Sequence, residues 1–149
     1  MQILRILYLL AAVATGSVPA SLHASEQAVS IPSEQALDAL QKLLSAHATG
    51  NQKQLEALVE PKLIGYSRVV NPTRDAGLTQ KQLALSLSDT RAQVSEDVVI
   101  IQTHWEKRYV SIPGRIGRHF SGTCTFVMRP SAGVWRLSAL TGDSPFGPD

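Results

Sequence analysis

His104, Glu106 and Arg108 follow one another at a spacing of two. On an extended strand this spacing puts all three side chains on one face, about 7 Å apart between successive members. A histidine oriented by a neighbouring carboxylate has the chemistry of a general base near neutral pH. The alternate positions argue about where that face points. Val99, Ile101, Thr103, Trp105 and Tyr109 form the opposite row, and an apolar row marks the side that packs against a core. The His104 row is therefore expected to face solvent or a dimer partner, and no catalytic residue is assigned. The candidate ligand-binding residues are aromatic: Trp105 and Tyr109 on the inward row, and Tyr66, whose phenolic hydroxyl would enter a cavity.

The remaining reactive residue types are dispersed. His119 lies beside Arg118 near a strand end, and His47 falls at a helix C-terminus, where partial positive charge is favourable. Asp75 and Asp143 are expected in loops, where they could rim an open end. Cys124 is the single cysteine, so no intramolecular disulfide forms. It alternates with Phe120, Gly122, Phe126 and Met128, which places it in the core as a small apolar residue. No His-x-x-x-His or Cys-x-x-Cys spacing supports a metal site, and no cofactor is expected. Gly114-Arg115-Ile116-Gly117 lacks the following helix that a phosphate loop needs. Gly142-Asp143-Ser144 lacks the Gly-x-Ser-x-Gly of a nucleophile elbow.

Charge excludes little. Lys plus Arg is 14 against 12 Asp plus Glu, a formal net charge of +2. Lys107, Arg108, Arg115, Arg118, Arg129 and Arg136 crowd residues 107–136 with no acid among them. No interleaved aromatic platform accompanies them, so nucleic acid is not expected as a partner.

The elements that would position these groups can be read from periodicity. A helix begins at Ser33, with Leu37, Leu40 and Leu44 as its stripe, widened by Ala36, Leu43 and His47. Thr49-Gly50-Asn51 ends it. Asn51 and Gln54 are a cap pair for a second helix through Leu55, Leu58 and Val59, which stops before Pro61. Leu63 to Val70 reads as a strand on its β-branched content, carrying Tyr66. Thr79 and Gln82 read as the cap pair of a third helix bearing Leu83 and Leu87. From Thr90 the period is two. Strands are expected at 91–95, 98–111, 118–129 and 134–141, with turns near Glu96-Asp97, at Pro113-Gly114 and at 130–133. The tail from Gly142 is expected to be irregular.

The N-terminus carries an address. Arg5 precedes an uncharged run from Ile6 to Ala14, and small residues follow with cleavage positions after Ala20 or Ala24. This is the order of a secretory signal peptide over residues 1–24, leaving one domain over 25–149 in a secreted or periplasmic location. Thr15, Gly16, Ser17 and Pro19 interrupt the run well short of the roughly 20 apolar residues that span a bilayer, so no stable membrane anchor is expected.

Helices followed by a meander of long strands give an α+β fold, a cone-like curved antiparallel sheet covered by about three N-terminal helices. The chain resembles the nuclear transport factor 2-like superfamily, which includes ketosteroid isomerases and SnoaL-like cyclases. The resemblance is carried by the short second helix after His47-Ala48-Thr49-Gly50-Asn51, the segment after Pro61, and the closing pair 121–127 and 133–137, with Gly133-Val134-Trp135-Arg136-Leu137. The resemblance implies the architecture; with the signal pattern, the leading expectation is an exported, non-catalytic protein that binds a small apolar molecule or acts as an accessory module, with a homodimer possible through the sheet. Two alternatives stay open: an isomerase or cyclase using His104 or Tyr66, and an envelope assembly or protein-interaction module.

Overall fold

The computed structural model describes residues 31–147, so the signal segment expected over residues 1–24 lies outside the described residues. Helix α1, Ile31–Thr49, buries Ala36, Ala39, Leu40, Leu43, Leu44, Ala46 and His47 along one side, the stripe that the spacing gives. Gly50 closes it at φ +68°, with its N–H on the His47 carbonyl and that of Asn51 on the Ala46 carbonyl. Glycine takes this left-handed turn without a Cβ penalty. A Cβ here would also stand 3.3 Å from the Cα of Gly77. Helix α2, Gln52–Ala57, starts as the cap pair requires: the Asn51 side chain accepts from the Gln54 N–H at 3.1 Å.

Two expectations fail in the next stretch. Leu63–Val70 is not a strand. Helix α3, Tyr66–Thr79, occupies this ground, and Tyr66 is its first residue. Val69, Val70, Thr73 and Ala76 are its buried residues, and they recur at helical spacing. Burial of that stripe outweighs the β preference of the two valines and the lost N–H of Pro72. The third helix expected after Thr79 is instead the start of strand β1, Gln80–Ser95. Leu83, Leu85 and Leu87 are half-buried while Ala84, Ser86 and Ser88 are exposed. That alternation belongs to a strand, and the Thr79–Gln82 pair caps nothing.

Strands β2 (Val98–Ser111), β3 (Ile116–Ser131) and β4 (Val134–Gly142) complete an antiparallel sheet in the order β1-β2-β3-β4. Irregular pairing at Lys81/Ala84 and Ser88/Arg91 coincides with positive φ at Gln82 and Asp89. Such bulges raise local twist and bend the strand. The sheet curls around α1, giving the α+β cone that the sequence pattern implies. The segment after α2 closes one edge: Leu137 N–H donates to the Leu58 carbonyl and Glu60 N–H to the Leu137 carbonyl, at 2.8 and 2.9 Å. The edge strand is thereby covered rather than left open for further pairing.

The core lies between α1 and the concave face. Val99, Ile101 and Trp105 of β2 meet Cys124, Phe126 and Met128 of β3 there, with Leu137 of β4. Period-two alternation puts Trp135 on the same side of β4 as Leu137 and so in the core, but it does not join them. It is only partly buried, and its Nε1–H donates to Gln35 Oε1 at 3.1 Å. Phe126→Ala is accordingly expected to cost about 3–5 kcal/mol. Trp135→Ala should cost clearly less. Urea unfolding of both variants checks the order, and equal losses would contradict the placement of Trp135 at the margin.

Candidate functional site

The open end of the cone is built from three pieces: the last turn of α1, the middle of β2, and the tail after β4. Alternation on β2 turns Thr103, Trp105, Lys107 and Tyr109 inward. Thr103 bonds Thr90 and the Ser88 carbonyl. Lys107 is the exceptional member, an ammonium on a side chain only 1% exposed. Its Nζ donates to the Gly147 carbonyl at 3.3 Å and lies 5.4 Å from the centroid of the Tyr109 ring. A cation over an aromatic face is attracted by the ring quadrupole.

His47 projects from α1 into the same end and has no exposed surface. Its Nδ1 lies 2.7 Å from Thr73 Oγ1, and that hydroxyl donates to the Val69 carbonyl at 3.2 Å. With the hydroxyl proton so placed, the Thr73 oxygen accepts from Nδ1–H. The lone pair then falls on Nε2, a buried atom with no hydrogen-bond partner among the described residues. Burial, and secondarily the Lys107 charge, lowers the imidazole pKa to about 4. His47 is therefore a neutral acceptor at physiological pH.

The tail closes this end. At Gly142 the backbone takes φ +88°, and a Cβ there would stand 2.6 Å from the Thr123 carbonyl oxygen. Only glycine lets the strand end so close to β3. Gly122 is equally constrained, since a Cβ would stand 2.6 Å from Asp143 Cβ and 2.9 Å from Trp105 Cζ2. Trp105 Nε1–H then donates to the Asp143 carbonyl at 2.9 Å, and the Thr123 N–H to the Asp143 carboxylate at 3.3 Å. Thus anchored, the tail delivers Phe146, 1% exposed, into the cone. Its ring makes edge contacts with His47 and Phe126, at centroid distances of 5.1 and 6.4 Å. Outside the tail, an open groove of about 580 Å³ runs along α3, lined by Arg68, Asn71, Asp75 and Thr79 of the helix and by Ser144, Phe146 and Gly147 of the tail. The tail thus forms a wall between groove and interior.

The aromatic candidates occupy three different places. Trp105 is inward and buried as alternation requires, and it anchors the tail. Tyr109 is half-buried and stacks on Phe120 at 6.0 Å. Tyr66 packs against the core from the start of α3, next to Ser67 of the groove. None of the three is among the groove-lining residues. On the outer face, Glu106 bonds Arg108 at 3.0 Å and meets His119 at 3.5 Å, all three substantially exposed. His104 shares their row but has no place in the interior. Asp143 follows β4 and accepts from the Thr123 N–H; Asp75 lies on α3 rather than in a loop and lines the groove. Cys124 is buried, and its thiol pKa is pushed up to about 12 by burial and by the Asp143 carboxylate, so it is no nucleophile near neutral pH.

Three residues central to this end are not among the site candidates that the sequence gives. Lys107 was legible, because it falls in register with Trp105 and Tyr109. His47 shares the stripe of Leu40, Leu43 and Leu44, yet a helix-end charge explained it equally well. Phe146 lies in an aperiodic tail and left no signal. Among the described residues, no three His, Cys, Asp or Glu side chains gather as metal ligands, and no helix is long and apolar enough to cross a membrane.

No family model and no curated protein matches the sequence. Solved structures do match in fold. A nuclear transport factor 2-like superfamily protein from Salmonella enterica serovar Typhimurium is 15% identical, with TM-score 0.66, over 75% of this chain and 89% of that one. A proposed dehydratase of the same family from Streptomyces avermitilis is 16% identical, with TM-score 0.61, over 72% and 91%. The association domain of C. elegans CaMKII is 10% identical, with TM-score 0.59, over 74% and 94%. At these identities the likeness shows the fold alone, and that fold is the nuclear transport factor 2-like cone.

The buried imidazole gives this end a pH dependence. Unfolded, His47 takes a proton near pH 6.5; folded, only near pH 4. Its contribution is constant above pH 6.5, where both states are neutral. As pH falls from 6.5 toward 4 the unfolded state binds the proton first, and about 3 kcal/mol of stability is lost. Urea unfolding between pH 7 and 4 should show this slope in the wild type and lose most of it in His47→Gln. Parallel profiles would contradict a buried neutral His47.

Proposed function

We propose that this chain is an exported binding or accessory protein, not an enzyme, that holds a small and largely apolar molecule at the open end of its cone. One observation carries the reading. The interior is filled by the chain's own Phe146, packed against a neutral imidazole whose partner is a threonine hydroxyl. A site for proton transfer needs a base that reaches its substrate, and here the tail stands in that path. The groove beside the tail supplies a mouth of suitable size for a small ligand, with Tyr66 next in sequence to its Ser67 and Trp105 anchoring the tail that walls it. Export rests on the N-terminal signal pattern of residues 1–24.

A second reading has its own support. The fold is shared with association domains, one from C. elegans CaMKII and one from Xanthomonas campestris that is described as of the same type. The outer face of the sheet, with Glu106, Arg108 and His119 exposed on it, is the surface available for self-association, and a homodimer there is compatible with binding at the other side.

Two measurements test the main reading. A thermal-shift screen of small apolar compounds should yield a stabilising ligand. Its affinity should survive His104→Ala and fall in Trp105→Phe, which releases the tail from the indole N–H. Loss of binding in His104→Ala, with the fold intact, would turn the faces round and favour the isomerase or cyclase reading. Intact-mass analysis of exported protein should give a chain beginning at Ser21 or Ser25. A full-length species held in the membrane fraction would contradict export with cleavage.

A further inference from the structure

We infer that the tip of the β2–β3 hairpin, with the end of α3 beside it, is a docking surface for the headgroup region of an anionic lipid bilayer. The inference goes beyond the small-ligand reading and stands independently of it.

The two strands run past the core. Phe126, Cys124, Gly122 and Phe120 form the inward row of β3, and alternation continues that row through Arg118 to Ile116. Burial stops before the row does. Cys124 and Phe126 are buried and Phe120 is half-buried, but every residue from Ile112 to His119 is exposed. The Ile112 N–H donates to the Thr79 carbonyl at 2.7 Å, which sets Leu78 of α3 beside the tip. Leu78, Ile116 and Ile112 are 74%, 52% and 36% exposed. One such residue is ordinary surface. Three gathered at one end, from α3 and from the hairpin, mark a contact.

Charge indicates the partner. Arg115 and Arg118 flank Ile116, and Lys81 of β1 pairs in register with Val110, just before the tip. All three bases are exposed, and none forms an ion pair among the described residues. No acid lies in residues 76–88 or 107–136, the stretches from which this end is built. The nearest acids in sequence, Asp75 and Glu106, already face Arg74 and Arg108. Self-pairing of the tip would set these bases against their own copies. An anionic headgroup layer answers both features at once. Its phosphates take the guanidinium and ammonium groups, and the isoleucine and leucine side chains enter the acyl boundary below. Arginine stems are apolar, so Arg115 and Arg118 reach phosphate while Ile116 between them is immersed. An exposed turn has the shape of a shallow wedge, not of a groove for a peptide. Docking here also brings the groove to the membrane surface, since Thr79 and Gln80 line it and Gln80 pairs with Ser111.

The experiment mixes the mature chain with vesicles of phosphatidylcholine alone, or of phosphatidylcholine and phosphatidylglycerol in equal parts. Flotation reads the bound fraction. The chain should bind the anionic vesicles about tenfold or more above the neutral ones, and added salt should weaken that binding. Arg115→Gln with Arg118→Gln should lower the affinity by about tenfold or more, and Ile112→Ser with Ile116→Ser by a similar factor. Lys53→Gln, on α2, should leave it unchanged. All these positions are exposed, and thermal unfolding checks the fold of each variant. Should a double variant not fold, amide NMR of the wild type with spin-labelled anionic vesicles decides. Broadening confined to the hairpin tip and the end of α3 supports the docking surface, and broadening elsewhere overturns it. Equal binding to both vesicles, or full binding after both isoleucines are replaced, would overturn the assignment. So would absence of vesicle binding; tip amides that then move with polyglutamate would give the surface to an acidic protein segment instead.

Discussion

A buried interior that nonetheless contains an ammonium and an imidazole governs the open end of this molecule. Lys107 and His47 are both withdrawn from water, and polar groups so placed are costly without partners. Each neighbouring feature answers that constraint. Thr73 takes the imidazole N–H, the Gly147 carbonyl takes an ammonium proton, and the Tyr109 face lies under the charge. Phe146 excludes solvent from the space between. The imidazole, desolvated and next to a positive charge, stays neutral across the physiological range. The tail is thus as much a part of the core as any strand.

The backbone devices that hold this arrangement are few and local. Gly142 lets β4 end against β3, and Gly122 leaves room for the Trp105 ring and for Asp143. Those two absences of a side chain set the path of the tail. On the other side of the sheet, the bulges at Gln82 and Asp89 bend β1 so that the inner face is concave. Without that curvature the β2 row would lie on a flat surface and no interior would exist for the tail to fill.

The cone is a fold that carries unlike activities, and solved structures that share it range from a proposed dehydratase to association domains. Function therefore has to be argued from the site. Here the site departs from a ready-made catalytic cavity in one respect that matters: the chain's own aromatic side chain is in it. Binding, if it uses the interior, is a competition between a ligand and the tail. The affinity measured is then reduced by the fraction of molecules in which the tail is seated.

Sequence by itself determined the parts governed by period and local turn chemistry. The α1 stripe, the Asn51 cap, the β2 and β3 strands, the inward row holding Trp105, and the core position of Cys124 were all legible, because each depends on neighbours a few residues away. The same local rules misread 63–87. There the valines of α3 and the cap-like Thr79–Gln82 pair gave signals that tertiary packing overrode, since stripe burial on α3 and pairing of β1 with β2 outweigh propensities worth about a kcal/mol. Tertiary structure alone decided the open end. Phe146 meets His47 across almost a hundred residues of chain, with no periodicity linking them. Their meeting follows from where Gly142 turns the tail and how far the sheet curls, and such a contact exists only once distant elements have packed.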